Sequence, residues 1–288
     1  MKLARIAHRG IIEFAVSTDS RSWFPMATLV GRIEALPDAL LAMSRIPSAS
    51  GWDSGGIQLT DADLLAPVHG TGKIVAVGLN YPEHAREVGM ETHDALVVFA
   101  KLPNSINDPY GPIVIDESIS REVDYEAELA VVIGTRCRSV AVEDAMRHVF
   151  GYTVANDVSA RDLQRSLGRL TFPKSLDTFL PIGPWISTAD EVGDPAELTV
   201  TSSVNGELRQ RASVSSMARS VAQLICEVSA GITLDPGDVL LTGSPAGSGS
   251  GFQPPRYLRD GDLVECAISG LGAIRNPARV THSLAQVH

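Results

Sequence analysis

Residues 123–134, Val-Asp-Tyr-Glu-Ala-Glu-Leu-Ala-Val-Val-Ile-Gly, set two carboxylates, Glu126 and Glu128, at the head of an unbroken apolar run. Such a run predicts a buried β-strand, and side chains two apart on a strand leave by the same face. Like charges held that close beside a core repel unless a proton or a cation lies between them. A small set of oxygen ligands suits a hard divalent ion, Mg²⁺ or Mn²⁺, with positions left for water or substrate. Asp157, entering a later helix, is the third carboxylate and reads in two ways. It is either a further ligand or an acidic residue favoured by the dipole of that helix.

The chain of 288 residues is long enough for a substantial core, as one large domain or two. Its formal net charge of −10 excludes nucleic acid as a general partner, because no basic field would attract a polyanion. Positive charge for an anionic substrate must then be concentrated locally. Cys137, Cys226 and Cys266 are scattered, which argues against a disulfide framework and points by default to a reducing cytoplasm. The first residues do not read as a signal peptide, and no apolar run approaches the ~20 residues that span a bilayer, so no membrane partner is expected.

Residues 1–66 read as a small β-containing N-terminal domain with a helix-like run over 32–43, joined through 48–56 and Leu64-Leu65-Ala66-Pro67 to a domain covering 67–288. In the second part, strands are predicted over 73–79, 128–133, 152–156, 198–204, 207–211, 238–242, 263–268 and 272–275. Helices are predicted over 82–88, 142–148 and 217–228 and after Ser159, where Ser159 and Asp162 fit a capping pattern. Asn205-Gly206 is a hairpin signal. Strands outnumber helices and hairpins mix the pairing, so the fold class is a β-rich α/β fold with a rolled or sandwiched mixed sheet rather than a doubly wound one.

His84 and Glu87 are three apart on a short helix, where a carboxylate can orient an imidazole as a general base; an incidental surface pair gives the same spacing. Arg161 and Gln164 share a helix face with Asp157 behind them, and either grip an anionic substrate or face solvent. Lys174, set among apolar residues, and Lys101, after Val-Val-Phe-Ala, each read as a substrate contact or as a snorkelling surface lysine. The glycine-rich run 242–251 lacks a phosphate-loop ending and reads as a pocket wall with the Thr242 or Ser244 hydroxyl available. His93, His148, His282 and His288 form no ligand spacing.

Together these segments resemble the fumarylacetoacetate hydrolase family. The resemblance rests on 78–87, 123–134, 156–164, 174–185, 204–210, 234–247 and 272–277. It implies a mixed β-roll catalytic domain, a variable smaller N-terminal domain and a homodimer. It also implies Mg²⁺ or Mn²⁺ on Glu126, Glu128 and Asp157, and a water-activating pair, His84 and Glu87, on a mobile lid. Lys174 would contact substrate, with Arg161, Gln164 and Ser244 lining the pocket. The chain departs from the family at Pro173, before Lys174, and at 248–259, which is longer than the usual link; 93–111 also looks individual.

The activity expected is metal-dependent hydrolysis of a C–C bond in a 1,3-diketone or 2-oxo acid of the acylpyruvate or fumarylpyruvate type, on a small anionic substrate. Keeping both His84 and Glu87 favours hydrolysis, since decarboxylation has no use for an activated water. Decarboxylation of an oxaloacetate-like acid or isomerisation of a hydroxymuconate-like diacid uses the same enolate and is the alternative. A catalytically silent metal-binding protein is the remaining one.

Overall fold

The computed structural model describes residues 1–46, 52, 56–90 and 96–282. Its centre is the strand Ala127–Ile133, in which every residue is buried. A strand covered on both faces must be apolar throughout rather than alternating. The two faces serve two cores. Leu129, Val131 and Ile133 pack with Val200, Val264 and Ile274 of the second sheet, while Ala130 and Val132 pack with Leu3, Val16, Leu36 and Ile182. Each large side chain so buried is worth roughly 1.5–3 kcal/mol of transfer free energy.

This strand pairs antiparallel with Val149–Asn156 on one side and Val239–Leu241 on the other. The sheet then runs through Ile74–Gly78, parallel to Val239–Leu241, to an edge at Val97–Lys101. In the other direction it runs through Leu180–Thr188 to Lys2–His8 and Ile11–Ser17, and with the short strands Phe24–Pro25, Leu64–Leu65 and Ile106–Asn107 it has eleven strands among the described residues. A second sheet of five strands, Glu207–Ser213, Thr199–Val204, Leu263–Ile268, Gly272–Thr281 and Ile113–Asp116, closes over the first. The mixed pairing and β-rich α/β class agree with the sequence. No described helix is long and apolar enough to cross a membrane.

Three local differences from the sequence expectations have physical reasons. The boundary near residue 66 does not coincide with a break in sheet or core. Leu3 pairs with Ile186, and Leu3, Phe14 and Leu36 lie in the same apolar cluster as Ile182 and Leu241. The inner face of the first hairpin is therefore buried against the larger unit. The helix after Asp157 starts at Arg161 with Ala160 at its cap, so Ser159 and Asp162 do not form a capping box. The Ser159 hydroxyl instead donates to the Asp157 carbonyl, and Asp162 accepts from Ser120 Oγ and the Arg121 N–H, tying down a neighbouring loop. The 142–148 helix is a single α-turn, Val142–Ala145, continued by a 3₁₀ turn, Met146–His148. By contrast, Asn205 and Gly206 take φ of 53° and 81°, as a two-residue hairpin of the favoured hand requires. His93 and His288, part of 93–111 and part of 48–56 lie outside the described residues.

Gly151 marks where strand Val149–Asn156 passes closest to its neighbour. A Cβ there would lie 2.1 Å from the Ser187 carbonyl oxygen. Gly151→Ala should therefore destabilise the protein by about 1–3 kcal/mol or more, read as a lowered denaturant midpoint. An unchanged midpoint would show that the two strands yield at no cost.

Candidate active site

The site forms where the central strands end. Asp157 follows the last residue of strand Val149–Asn156, and its N–H donates to the Glu126 carbonyl at 2.8 Å. Asn156 Oδ1 accepts the Glu126 N–H at 2.9 Å. These two bonds fasten the segment carrying Glu126 to the one carrying Asp157. Glu126 and Glu128, two residues apart, then project together with Asp157, and one carboxylate oxygen from each lies within 4.8 Å of the others. All three are buried.

Three cations reach this cluster from separate parts of the chain. Lys101 ends the edge strand, is completely buried, and donates to Asp157 Oδ1 at 2.6 Å and to the carbonyls of Lys174 and Val158. Lys174 bridges Glu126 Oε2 and Asp157 Oδ2 and stands 5.1 Å above the Phe99 ring. Arg161 donates through Nη2 to Glu126 at 2.6 Å, through Nε to Asp124 at 2.9 Å and through Nη1 to Gln164 at 3.1 Å. Four acids (Asp124, Glu126, Glu128, Asp157) against three cations leave a formal charge of −1 when all are ionised.

The charges are unevenly shared. Burial opposes ionisation of Glu126, but Arg161 and Lys174 beside it hold its carboxyl well below the usual range. Burial, together with Asp157 and Glu126, pushes Glu128 well above that range, and its recorded partner is the Gly243 N–H at 2.8 Å. Among the described residues Glu128 thus has no ion-pair partner of its own. The Lys174 ammonium already sits between two of the three acids, which shows that the position accepts positive charge. The all-oxygen donor set and the uncompensated Glu128 both fit a divalent ion.

His84 is buried on the helix Pro82–Glu87, with Nδ1 3.0 Å from Glu87 Oε2 and Nε2 3.5 Å from Glu126 Oε1. Burial opposes its charge, but Glu126 and Glu87 raise its pKa to about 9. The helix is entered through Leu79, a non-glycine residue at φ 58°, an uncommon conformation for a bulky side chain. Ser244 Oγ accepts from Gln210 Nε2 at 2.8 Å, and Gln210 Oε1 accepts the Ala127 N–H, which ties the second sheet to this end of the first.

His84, Glu87, Glu126, Glu128, Asp157, Arg161, Gln164, Lys174 and Ser244 all line one cavity of about 510 Å³. The outer wall is apolar, with Leu79, Val88, Met90, Val97, Phe99 and Leu170. Sequence reasoning left Lys101 undecided and passed over Asp124. The same period of two that pairs Glu126 with Glu128 extends back to Asp124, and that was the available signal.

The fumarylacetoacetate (FAA) hydrolase C-terminal family matches residues 73–279. The chain belongs to the fumarylacetoacetate hydrolase family. It is 44% identical over 238 residues to a mitochondrial oxaloacetate tautomerase of Xenopus laevis, covering 82% of this chain and 74% of the relative. It is 41% identical over 239 residues to a 2,4-didehydro-3-deoxy-L-rhamnonate hydrolase of a Sphingomonas species, covering 82% of this chain and 84% of that one. The solved fumarylacetoacetate hydrolase of the psychrophile Exiguobacterium antarcticum superposes with a TM-score of 0.84 at 38% identity, over 98% of this chain and 100% of that structure. Hydrolases and a tautomerase thus share this family's fold and sequence with the chain.

Two outcomes test the electrostatics. Lys101→Met removes one of the two ammonium groups bonded to the buried Asp157, leaving Lys174 alone against it, and should cost about 3–5 kcal/mol in unfolding free energy; a cost below about 1 kcal/mol would place Lys101 outside the network. Burial and the neighbouring acids push Glu128 toward its protonated form, and a divalent ion binds the ionised form. Mg²⁺ titration followed by calorimetry in buffers of different ionisation enthalpy should show proton release, with affinity rising as pH rises. Buffer-independent heats would contradict this.

Proposed function

We propose that the protein is a divalent-cation-dependent enzyme that interconverts the enol and keto forms of an oxaloacetate-like 2-oxo diacid. The observation that carries this reading is the place of His84. Its ring lies beside the Glu126 carboxylate on the rim of the acidic trio, is oriented by Glu87, and is pushed by both carboxylates toward its protonated form. An imidazolium there is a proton donor aimed at whatever carbon lies over the trio. Mg²⁺ or Mn²⁺ on Glu126, Glu128 and Asp157 would supply positive charge for the 2-oxo oxygen as an enolate forms.

The chain's own groups complete the scheme. His84 gives its proton to C3 of the enol and recovers one released from the 2-hydroxyl, so protons balance. Lys174 and Arg161, fixed against Glu126, keep the trio from repelling an anionic substrate. Gln164 stands at the cavity wall beside Arg161 to meet a distal carboxylate. The Xenopus laevis relative, an oxaloacetate tautomerase, supports this choice within the family.

Hydrolysis of an acylpyruvate or fumarylpyruvate type substrate is the second reading. The cavity of about 510 Å³ and its apolar outer wall favour it, because a four-carbon diacid would leave that wall unfilled. In that reaction neutral His84, held by Glu87, takes a proton from water.

The test is a panel of enol-oxaloacetate, oxaloacetate and acylpyruvates assayed with Mg²⁺, Mn²⁺ or a chelator. Ketonisation should be accelerated, stop on chelation and return with either ion. It should fall as pH rises through the His84 pKa, because the donor is lost. His84→Ala should lower kcat by about 10²-fold or more. Full turnover in chelator would overturn the proposal, and a larger kcat/KM for acylpyruvates would select the second reading.

A further inference from the structure

Asp124 is completely buried, and each of its four acceptor directions meets a donor. Oδ1 accepts the N–H groups of Tyr125 at 2.9 Å and Gly249 at 2.6 Å, and Oδ2 accepts the Ser250 N–H at 3.0 Å and Arg161 Nε at 2.9 Å. One carboxylate therefore holds the guanidinium that grips Glu126 and also the 3₁₀ turn Gly249–Gly251.

That turn seats the other half of the site. The Gly247 N–H donates to Glu87 Oε1 at 2.8 Å, leaving Oε2 for His84. Gly251 lies so close to Glu87 that a Cβ on it would fall 2.2 Å from the Glu87 carboxyl carbon. The segment is anchored from several sides. The Tyr125 hydroxyl donates to the Gly247 carbonyl, the Arg256 N–H donates to the Gly249 carbonyl, and the Phe252 ring lies 5.1 Å from the Arg209 guanidinium and 4.7 Å from that of Arg256.

We infer that Asp124 is a positioning residue that couples the acidic trio to the His84–Glu87 pair, acting through Arg161 on one side and the 247–251 segment on the other. The segment that departs from the family pattern thus sets the angle at which Glu87 presents its oxygen to His84. The inference rests on the reading of His84 as the proton carrier. Asparagine cannot replace Asp124. Its amide has one acceptor oxygen, so its NH₂ must face either the Gly249 and Tyr125 N–H groups or Ser250 and Arg161, donor against donor.

The experiment compares Asp124→Asn, Gly249→Ala, Gly251→Ala and their pairs in the full chain with saturating Mg²⁺, assaying enol-oxaloacetate ketonisation. A Cβ on Gly249 would fall 2.2 Å from the Arg256 carbonyl oxygen and 2.6 Å from Asp124 Oδ1, so this variant displaces the turn from both, whereas Arg161 bonds the other oxygen, Oδ2. Each single variant should lower kcat by about 10- to 100-fold. For Gly249→Ala and Gly251→Ala, KM and the Mg²⁺ dissociation constant should stay within about threefold, as expected for a loss confined to proton transfer. Pairing Gly249→Ala with Gly251→Ala should add little, because both act through Glu87. Multiplying effects, or wild-type kcat in Gly251→Ala, would overturn the coupling. If Asp124→Asn does not fold, the two glycine variants and their pair decide the matter. The ring N–H proton resonance of ¹⁵N-labelled His84 gives a second readout. It should move upfield in Gly249→Ala, and an unmoved resonance overturns the inference. Intact turnover in His84→Ala would instead remove the proton carrier from the proposed function, with the resonance still reporting the coupling.

Discussion

Four buried carboxylates held against three buried cations set the terms for everything else in this protein. Glu126, Glu128 and Asp157 crowd within 4.8 Å, a placement that isolated side chains in a low-dielectric interior would not keep. They keep it because Lys101, Lys174 and Arg161 arrive from an edge strand, a turn and a helix start, each bonded to one or two of the acids. Each cation therefore acts as a strut between segments far apart in sequence. With all four acids ionised the balance is one positive charge short, and Glu128 is the one pushed toward its neutral form.

The sheets explain why the cluster can be rigid. Strand Ala127–Ile133 is paired on both edges and packed on both faces, so its first carboxylates inherit its position. The neighbouring strand delivers Asp157 at the same level, and Gly243, just beyond Val239–Leu241, offers its N–H to Glu128. Gln210 reaches across from the second sheet to Ala127 and Ser244, so the sheets are joined where the chemistry sits. In contrast, His84 rides a short helix whose fit depends on the 247–251 segment. The His84–Glu87 half of the site is held by loop contacts and the acidic half by the sheet.

Much of this was legible beforehand wherever a short-range pattern decides the outcome. The acidic pair on an apolar strand, the Asn205-Gly206 hairpin and the His84–Glu87 spacing each depend on residues within a few positions of one another. Where competing local options existed, the pattern misled. Ser159 and Asp162 matched a helix cap, yet Asp162 found donors at Ser120 and Arg121, some forty residues away in sequence. Likewise the first hairpin looked self-contained until its apolar face met Ile182 and Leu241. Lys101 and Lys174 looked alike and became different things. One is sealed into the protein, and the other bridges two acids at the cavity wall.

By itself the sequence determined the strand periodicity, the pairing of two carboxylates on one face and the family, because those follow from spacing and from ordered segments. Only the tertiary structure decided which cations meet which acids, that Glu128 is the uncompensated one, and that Asp124 joins the two halves of the site. Charge compensation and hydrogen-bond satisfaction are properties of neighbours in space. In this chain the cations lie 17 to 56 positions from the acids they meet, and Ser250 lies 126 from Asp124. No local pattern carries that information.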